Sequence, residues 1–378
     1  MLRLHGPRLT TGSLQPYERV SPRITHYNIY NQVGTQMRYS VMSVQDHYPG
    51  RGRSVPEFYA EVMAQGERAD ALGYDAFFLA EHHFHEYGAV PDPSVFLASL
   101  AQRTRRLRLG TSISVLTFRN PLMVAETYSM VDILSGGRLV LGVGSGYLKH
   151  EFEGFRVDPA EKRERFDEAL QVLTKALSGE RFTFHGKYLT VDDVAINVMP
   201  LQMPTPPIYV ATLRREGAYH LGSKGQKMMC VPYASVDSFD EIGAIVAEFR
   251  KGQRDAGVKP DDNDVLVALH AHVAIDDGEA KVQAAAPFDL YVATRLYAKR
   301  QTYDDVLRSG LSLIGGVQTV TRKLKQLAEM DVHHVLAIHN FGMMPQYQVM
   351  SSMDRFAAIA HAMNGSSAAT DDKKSLVA

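Results

Sequence analysis

A chain of 378 residues with 45% hydrophobic and 22% charged residues has the composition of an ordinary soluble globular protein with a large core. Lys+Arg (41) and Asp+Glu (42) nearly cancel, which gives no electrostatic drive toward nucleic acid or an anionic membrane. The single cysteine, Cys230, excludes an intrachain disulfide and gives no support for a thiolate metal cluster. With no secretory signal and no apolar stretch of membrane-spanning length, a cytoplasmic protein is expected.

Residues 1–36 carry Pro7, Pro16, Pro22 and many polar groups without an apolar period, and are expected to form an irregular N-terminal arm. Met37–Met42 reads as a first inner strand. A helix from Pro56 to Leu72 follows, stopped by Gly73. The short apolar run from Ala76 to Ala80 suits a strand buried on both faces, and it ends abruptly in Glu81, His82, His83 and His85. Asp92-Pro93 opens the next helix as N-cap and first residue. Leu107–Leu116 is expected as strand three, Pro121–Leu134 as a helix and Leu139–Gly144 as strand four. An amphipathic helix over 159–177 leads to a hairpin insertion over 180–198. Pro204–Thr212, Lys227–Val231 and Val265–Ala274 read as strands five to seven, with a helix over 238–255 between the last two. Residues 277–312 read as helical with a break at Pro287, followed by a helix over 317–330, strand eight over 334–339 and a last helix over 346–363. Residues 364–378 are expected to be disordered. Eight strands alternating with helices point to a single (β/α)8 TIM barrel over 37–363, whose chemistry belongs at the carboxyl ends of its strands.

Three motifs at those ends carry chemistry. His83-Phe-His85 and His270-Ala-His272 have metal-ligand spacing, but zinc needs a third ligand and spacing alone does not make the pairs converge. His270 and His272 are read as structural. Gly142-Val-Gly-Ser-Gly146 lets backbone N–H groups approach a phosphate or an aromatic ring, or it serves only a sharp turn. It is not a dinucleotide fingerprint. Thr212-Leu-Arg-Arg-Glu-Gly217 opens a helix, where Arg214, Arg215 and the first free N–H groups make an anion site. The bland alternative is two solvated arginines, but cations at a helix start are a little unfavourable for the dipole, which tilts the reading toward an anionic ligand.

Four blocks together resemble the bacterial luciferase-like flavin-dependent monooxygenases. They are Leu79-Ala-Glu-His-His-Phe-His-Glu-Tyr-Gly88; Leu109-Gly-Thr111 with Asn120-Pro121 and Leu134 to Gly146; Phe184-His-Gly-Lys-Tyr188 with Pro207-Ile-Tyr-Val-Ala211; and Ile314-Gly-Gly316 with Phe341-Gly-Met-Met-Pro345. The resemblance implies a homodimer that binds reduced FMN from a separate flavin reductase. The flavin reacts with O2 at C4a, and the resulting peroxide oxidises an aldehyde, ketone, alkene or alkane-like substrate. By position, His82 matches the catalytic histidine beside the flavin, and Ser112-Ile113 matches a non-prolyl cis peptide. Gly144, Ser145, Gly146, Thr212, Arg214 and Arg215 complete the expected cofactor set. Ser145 stands where luciferase has a phosphate-binding arginine, so the charge passes to Arg214 or Arg215. Asp331 replaces a glycine common at that helix end. The flavin ring is expected beneath Val41, Phe78, Ile113 and Val115. An F420-dependent oxidoreductase that transfers hydride is the alternative within the fold, a non-catalytic flavin-binding protein is another, and a metal-dependent hydrolase comes last.

Overall fold

The structure is a computed structural model that describes residues 36–86, 88–294 and 301–375, with side chains described to residue 365. The expected N-terminal arm lies outside the described residues except for Gln36.

Eight parallel strands close into a barrel in chain order: Arg38–Ser43, Ala76–Leu79, Arg108–Thr111, Leu139–Gly144, Ile208–Thr212, Lys227–Cys230, Val265–Ala274 and His334–Ile338. We number these strands one to eight. Closure comes from strand eight pairing with strand one, Tyr39 opposite Val335. Nearly every residue in the strands is buried, because the interior is filled by side chains and helices cover the outside.

Local signals fix the helices that position these strands. The first helix, Val55–Leu72, starts on a capping box in which Ser54 and Glu57 satisfy each other's backbone N–H, and it ends at Gly73 with φ 79°. The carboxylate of Asp70 then accepts the backbone N–H groups of Arg105, Arg106 and Leu107, which fixes where strand three enters. Asp92 and Asn120 cap the helices Pro93–Arg103 and Pro121–Ser135, each with proline at its start.

Asp132, on the second of these, is fully buried and reaches further. Its Oδ2 accepts the N–H groups of Leu201 and Gln202, and its Oδ1 accepts Nε2 of Gln202 and the N–H of Leu139. One side chain thereby ties the exit of the hairpin insertion, Phe182–His185 with Thr190–Val194, to the start of strand four.

The structure departs from the sequence expectations in five places. Strand three breaks after Thr111 and resumes only as Ser114–Val115; the peptide bond between Ser112 and Ile113, in the gap, is cis. A short helix, Lys149–Phe155, follows strand four where none was expected. Pro287 does not break its helix, which runs unbroken over Asp277–Thr294 and is held by the buried Ala284, Phe288 and Tyr291. Leu313–Gly316 is a strand that pairs with the far half of strand seven. The last helix is continuous over Gln346–Ser375, past the expected stop at Met363. Among the described residues no helix is long and apolar enough to cross a membrane.

The amino ends of the strands are sealed by polar groups. Asp75 lies 3.7 Å from Arg38 and Arg108 and 3.6 Å from His334, whose Nε2 meets Ser40 Oγ at 2.7 Å. Function therefore has to be sought at the carboxyl ends.

Candidate active site

A cavity with an empty volume of about 760 Å³, open mouth included, lies at the carboxyl ends of strands one to six. Met42, Val44, Ile113, Val115, Met229 and Val231 are among its apolar lining residues. Val41 and Phe78, expected there, face the core instead: side chains alternate along a strand, so Met42 and Val44 reach the cavity and Val41 does not. Phe78 lies against Gly110, and the residues beyond strand two that line the cavity are Ala80, Glu81 and His82. Strands seven and eight contribute nothing to this wall. Within strand seven, His270 is packed among aromatic side chains, its ring 4.6–5.3 Å from those of Tyr233, Tyr291, Phe288 and Phe341.

The ionisable groups enter from one side. Beyond strand two the chain turns through Glu81, His82 and His83, and the loop closes where the N–H groups of Gly88 and Ala89 donate to Gln45 O. Gly88 has φ 95°, and a Cβ there would lie 2.3 Å from Cβ of His82, so glycine is required for the loop to lie this close. Glu81 is buried, with oxygens 3.2 Å from His83 Nε2, 3.1 Å from Ser114 Oγ and 3.4 Å from Arg119. His82 has Nδ1 3.3 Å from Oε1 of Glu151, and the same oxygen accepts the N–H of His83 at 2.9 Å. Sequence reasoning missed Glu151 and its neighbour Tyr147, because the seven-residue helix that follows Tyr147 and carries Glu151 has no legible apolar period. Gly-Tyr147 followed by an acidic residue one turn into a helix is the only trace in the sequence.

Of the expected site residues, His82, Ser112, Ile113 and Gly146 line the cavity. The hydroxyl of Ser112 lies 3.0 Å from the sulfur of Met229 and 3.4 Å from that of Met42, either of which can accept its one hydrogen. Gly144 stands directly behind Ile113: a Cβ on it would lie 2.2 Å from Ile113 Cδ1. The carbonyl oxygen of Ser145 accepts the hydroxyl of Thr117, and Thr212 sits between the lining residues Ala211 and Leu213. Thr212 Oγ1 is taken up in the turn by the backbone of Arg214. Arg214 and Arg215 lie at the exposed start of the helix Arg215–Ser223, outside the cavity wall. Arg215 is paired with Glu241 at 2.9 Å, whereas Arg214 has no carboxylate partner among the described residues.

The histidine pairs proposed for a metal are otherwise engaged. His83 faces Glu81, and His272 meets Gln283 at 2.7 Å in a setting where burial lowers its basicity.

The comparisons with known proteins bear on this geometry. Residues 37–334 match the family described as luciferase-like monooxygenase. The uncharacterized protein y4wF of Sinorhizobium fredii is 33% identical over 79% of this chain and 90% of its own length. An F420-dependent glucose-6-phosphate dehydrogenase of Intrasporangium calvum is 34% identical over 45% of this chain and 53% of its own. Among solved structures, the monooxygenase RslO1 of Streptomyces bottropensis superposes with a TM-score of 0.75 at 26% identity, covering 85% of this chain and 98% of that one. The oxygenating constituent of 3,6-diketocamphane monooxygenase from Pseudomonas putida, solved with FMN, has a TM-score of 0.73 at 18% identity, covering 85% and 97%.

Proposed function

The chain belongs to the luciferase-like monooxygenase family, and from that premise we propose that it is the FMN-dependent oxygenase of a two-component system. Its substrate is a small apolar organic molecule such as an aldehyde, ketone or alkene. The observation that carries this reading is the cavity itself: an apolar wall from six strand ends, with ionisable groups confined to one edge.

The residues present fit a reduced flavin. Met42, Val44, Ile113, Val115 and Met229 offer apolar surface to a planar ring and hold water away from it. Gly146, at φ 72°, lets the backbone approach without a side chain, and Arg214, which has no carboxylate partner among the described residues, is the group we assign to the phosphate. Reduced FMN, when bound, supplies the two electrons by which one atom of O2 enters the substrate and the other leaves as water. His82 gives or takes a proton at the edge of that reaction, with Nδ1 held against Glu151. A flavin reductase as supplier and a homodimer belong to the same proposal. The exposed Val95, Met123, Met130 and Leu134 on the helices Pro93–Arg103 and Pro121–Ser135 support a second copy as partner.

The F420 reading is favoured by the partial match to an F420-dependent dehydrogenase, and one experiment separates the two. The protein is loaded anaerobically with reduced FMN or reduced F420, then given ¹⁸O2 and a panel of ketones, aldehydes and terpenes. With FMN, the product is expected to carry one labelled oxygen. His82→Ala should bind FMN within about threefold of wild type and lose at least about a hundredfold in product formation. Label-free product formed by hydride transfer from F420 would establish the rival.

A further inference from the structure

We propose that Glu151 is the positioning residue of this site: its buried carboxylate fixes which nitrogen of His82 carries the proton. The inference deepens the monooxygenase reading and takes its functional meaning from it. Glu151 lies in the first turn of the helix Lys149–Phe155 and is 1% exposed. A backbone amide only donates, so the oxygen that accepts the N–H of His83 presents a lone pair to its other neighbour. That neighbour is Nδ1 of His82. The N–H of the neutral imidazole is therefore on Nδ1, and Nε2 is the atom that takes up and releases a proton.

The surroundings hold the ring in this arrangement. Tyr147, from the segment after strand four, meets the His82 ring edge-on at 6.3 Å. The loop at Gly88 lies against Cβ of His82 and restricts its movement. On the histidine's own loop the charged neighbours are Glu81 and His83, and Glu81 also binds Arg119 from the loop after strand three. The chain thus builds a carboxylate–imidazole pair twice in adjacent residues, but with different surroundings. In one, Arg119 offsets the charge of Glu81. In the other, both His82 and Glu151 line the cavity, with no guanidinium on that carboxylate among the described residues.

The test uses the cofactor-free protein with ring-¹⁵N histidine, the His82 signals being assigned by difference against His82→Asn. Wild type is expected to show the Nδ1–H form. Glu151→Gln keeps a carbonyl for the His83 amide but removes the charge, so the His82 titration midpoint should fall by about one pH unit. Glu151→Ala should release the tautomer as well. Glu151→Asp retains the charge and should titrate above the Gln variant, and it provides the comparison should the Gln variant fold poorly. Loaded with reduced FMN, the Gln variant should lose about tenfold or more in kcat while its flavin Kd stays within about twofold. An unchanged tautomer and midpoint across the Gln and Ala variants overturns the proposal. Failure of wild type to bind FMN would instead overturn the monooxygenase reading, while the cofactor-free titration still decides the role of Glu151.

Discussion

Two glycines in strand four, two residues apart, should respond to alanine in opposite ways. At Gly142 an added Cβ would lie 2.1 Å from the carbonyl oxygen of Thr111 and 2.9 Å from Met229 Cε, where ordinary contact begins near 3.4 Å. The obstacle is backbone in the neighbouring strand, so strands three and four must separate. That also strains the two hydrogen bonds between Thr111 Oγ1 and Gly142, at 2.7 and 3.0 Å. Overpacking costs about 1–3 kcal/mol and each weakened bond about 1 kcal/mol, so Gly142→Ala should lose about 3–5 kcal/mol of stability. At Gly144 the added methyl clashes with Ile113 Cδ1 at 2.2 Å, the far end of a flexible side chain lining the cavity, while Ala211 Cβ lies at 3.4 Å, in ordinary contact. Ile113 can turn aside, so Gly144→Ala should cost about 1 kcal/mol or less in stability and narrow the ligand space instead. The chain has no tryptophan, so urea unfolding is best followed by far-UV circular dichroism, with FMN binding measured by flavin fluorescence. If Gly142→Ala unfolds within about 1 kcal/mol of wild type, or Gly144→Ala is the less stable of the two, the packing argument fails.

Two further outcomes test other parts of the molecule. Arg214→Ala should weaken FMN binding about tenfold and leave riboflavin unchanged, whereas Arg215→Ala, already tied to Glu241, should do less; equal losses for both flavins would remove Arg214 from the phosphate site. Burial holds the imidazoles of His334 and His339 down at about 3, against 6.5 for the free side chain. The unfolded chain therefore binds protons that the folded chain excludes, and stability should be lost as pH falls from about 6.5 toward 3, by up to about 1.4 kcal/mol per pH unit for each imidazole. The urea midpoint should accordingly drop between pH 6.5 and 4.5, and His339→Gln should flatten that slope; a midpoint constant over the range would contradict the buried neutral assignment.

The barrel was legible because its inner strands are short apolar runs bounded by glycine, proline and charge, and because Asp92-Pro93, Asn120-Pro121 and Gly73 mark helix ends by chemistry that acts locally. What escaped the sequence depended on contacts distant in the chain. Pro287 reads as a helix breaker, yet Phe288 and Tyr291 pack around His270 and hold the helix through it. Leu313–Gly316 resembles a loop until strand seven offers it hydrogen-bonding partners. At the site, the histidines stood out as a cluster of rare residues at a strand end. Glu151 did not, because its significance is a 3.3 Å approach across 69 positions of chain. The arginines were found by helix-start logic, which cannot foresee that Glu241 lies beside Arg215 and not beside Arg214.

The carboxylate of Asp132 has a consequence for engineering. Because it grips Leu201 and Gln202 on the exit side, the excursion that contains the hairpin returns to the barrel at a fixed point before strand five begins. The hairpin strands themselves pair only with each other. The turn of the hairpin is tied instead to the helix Lys162–Leu177, whose Glu168 accepts the N–H groups of Lys187, Tyr188 and Leu189, and Phe182, Val191 and Ile196 are buried in the core; an exchanged hairpin has to keep those contacts while the grip of Asp132 preserves the register downstream.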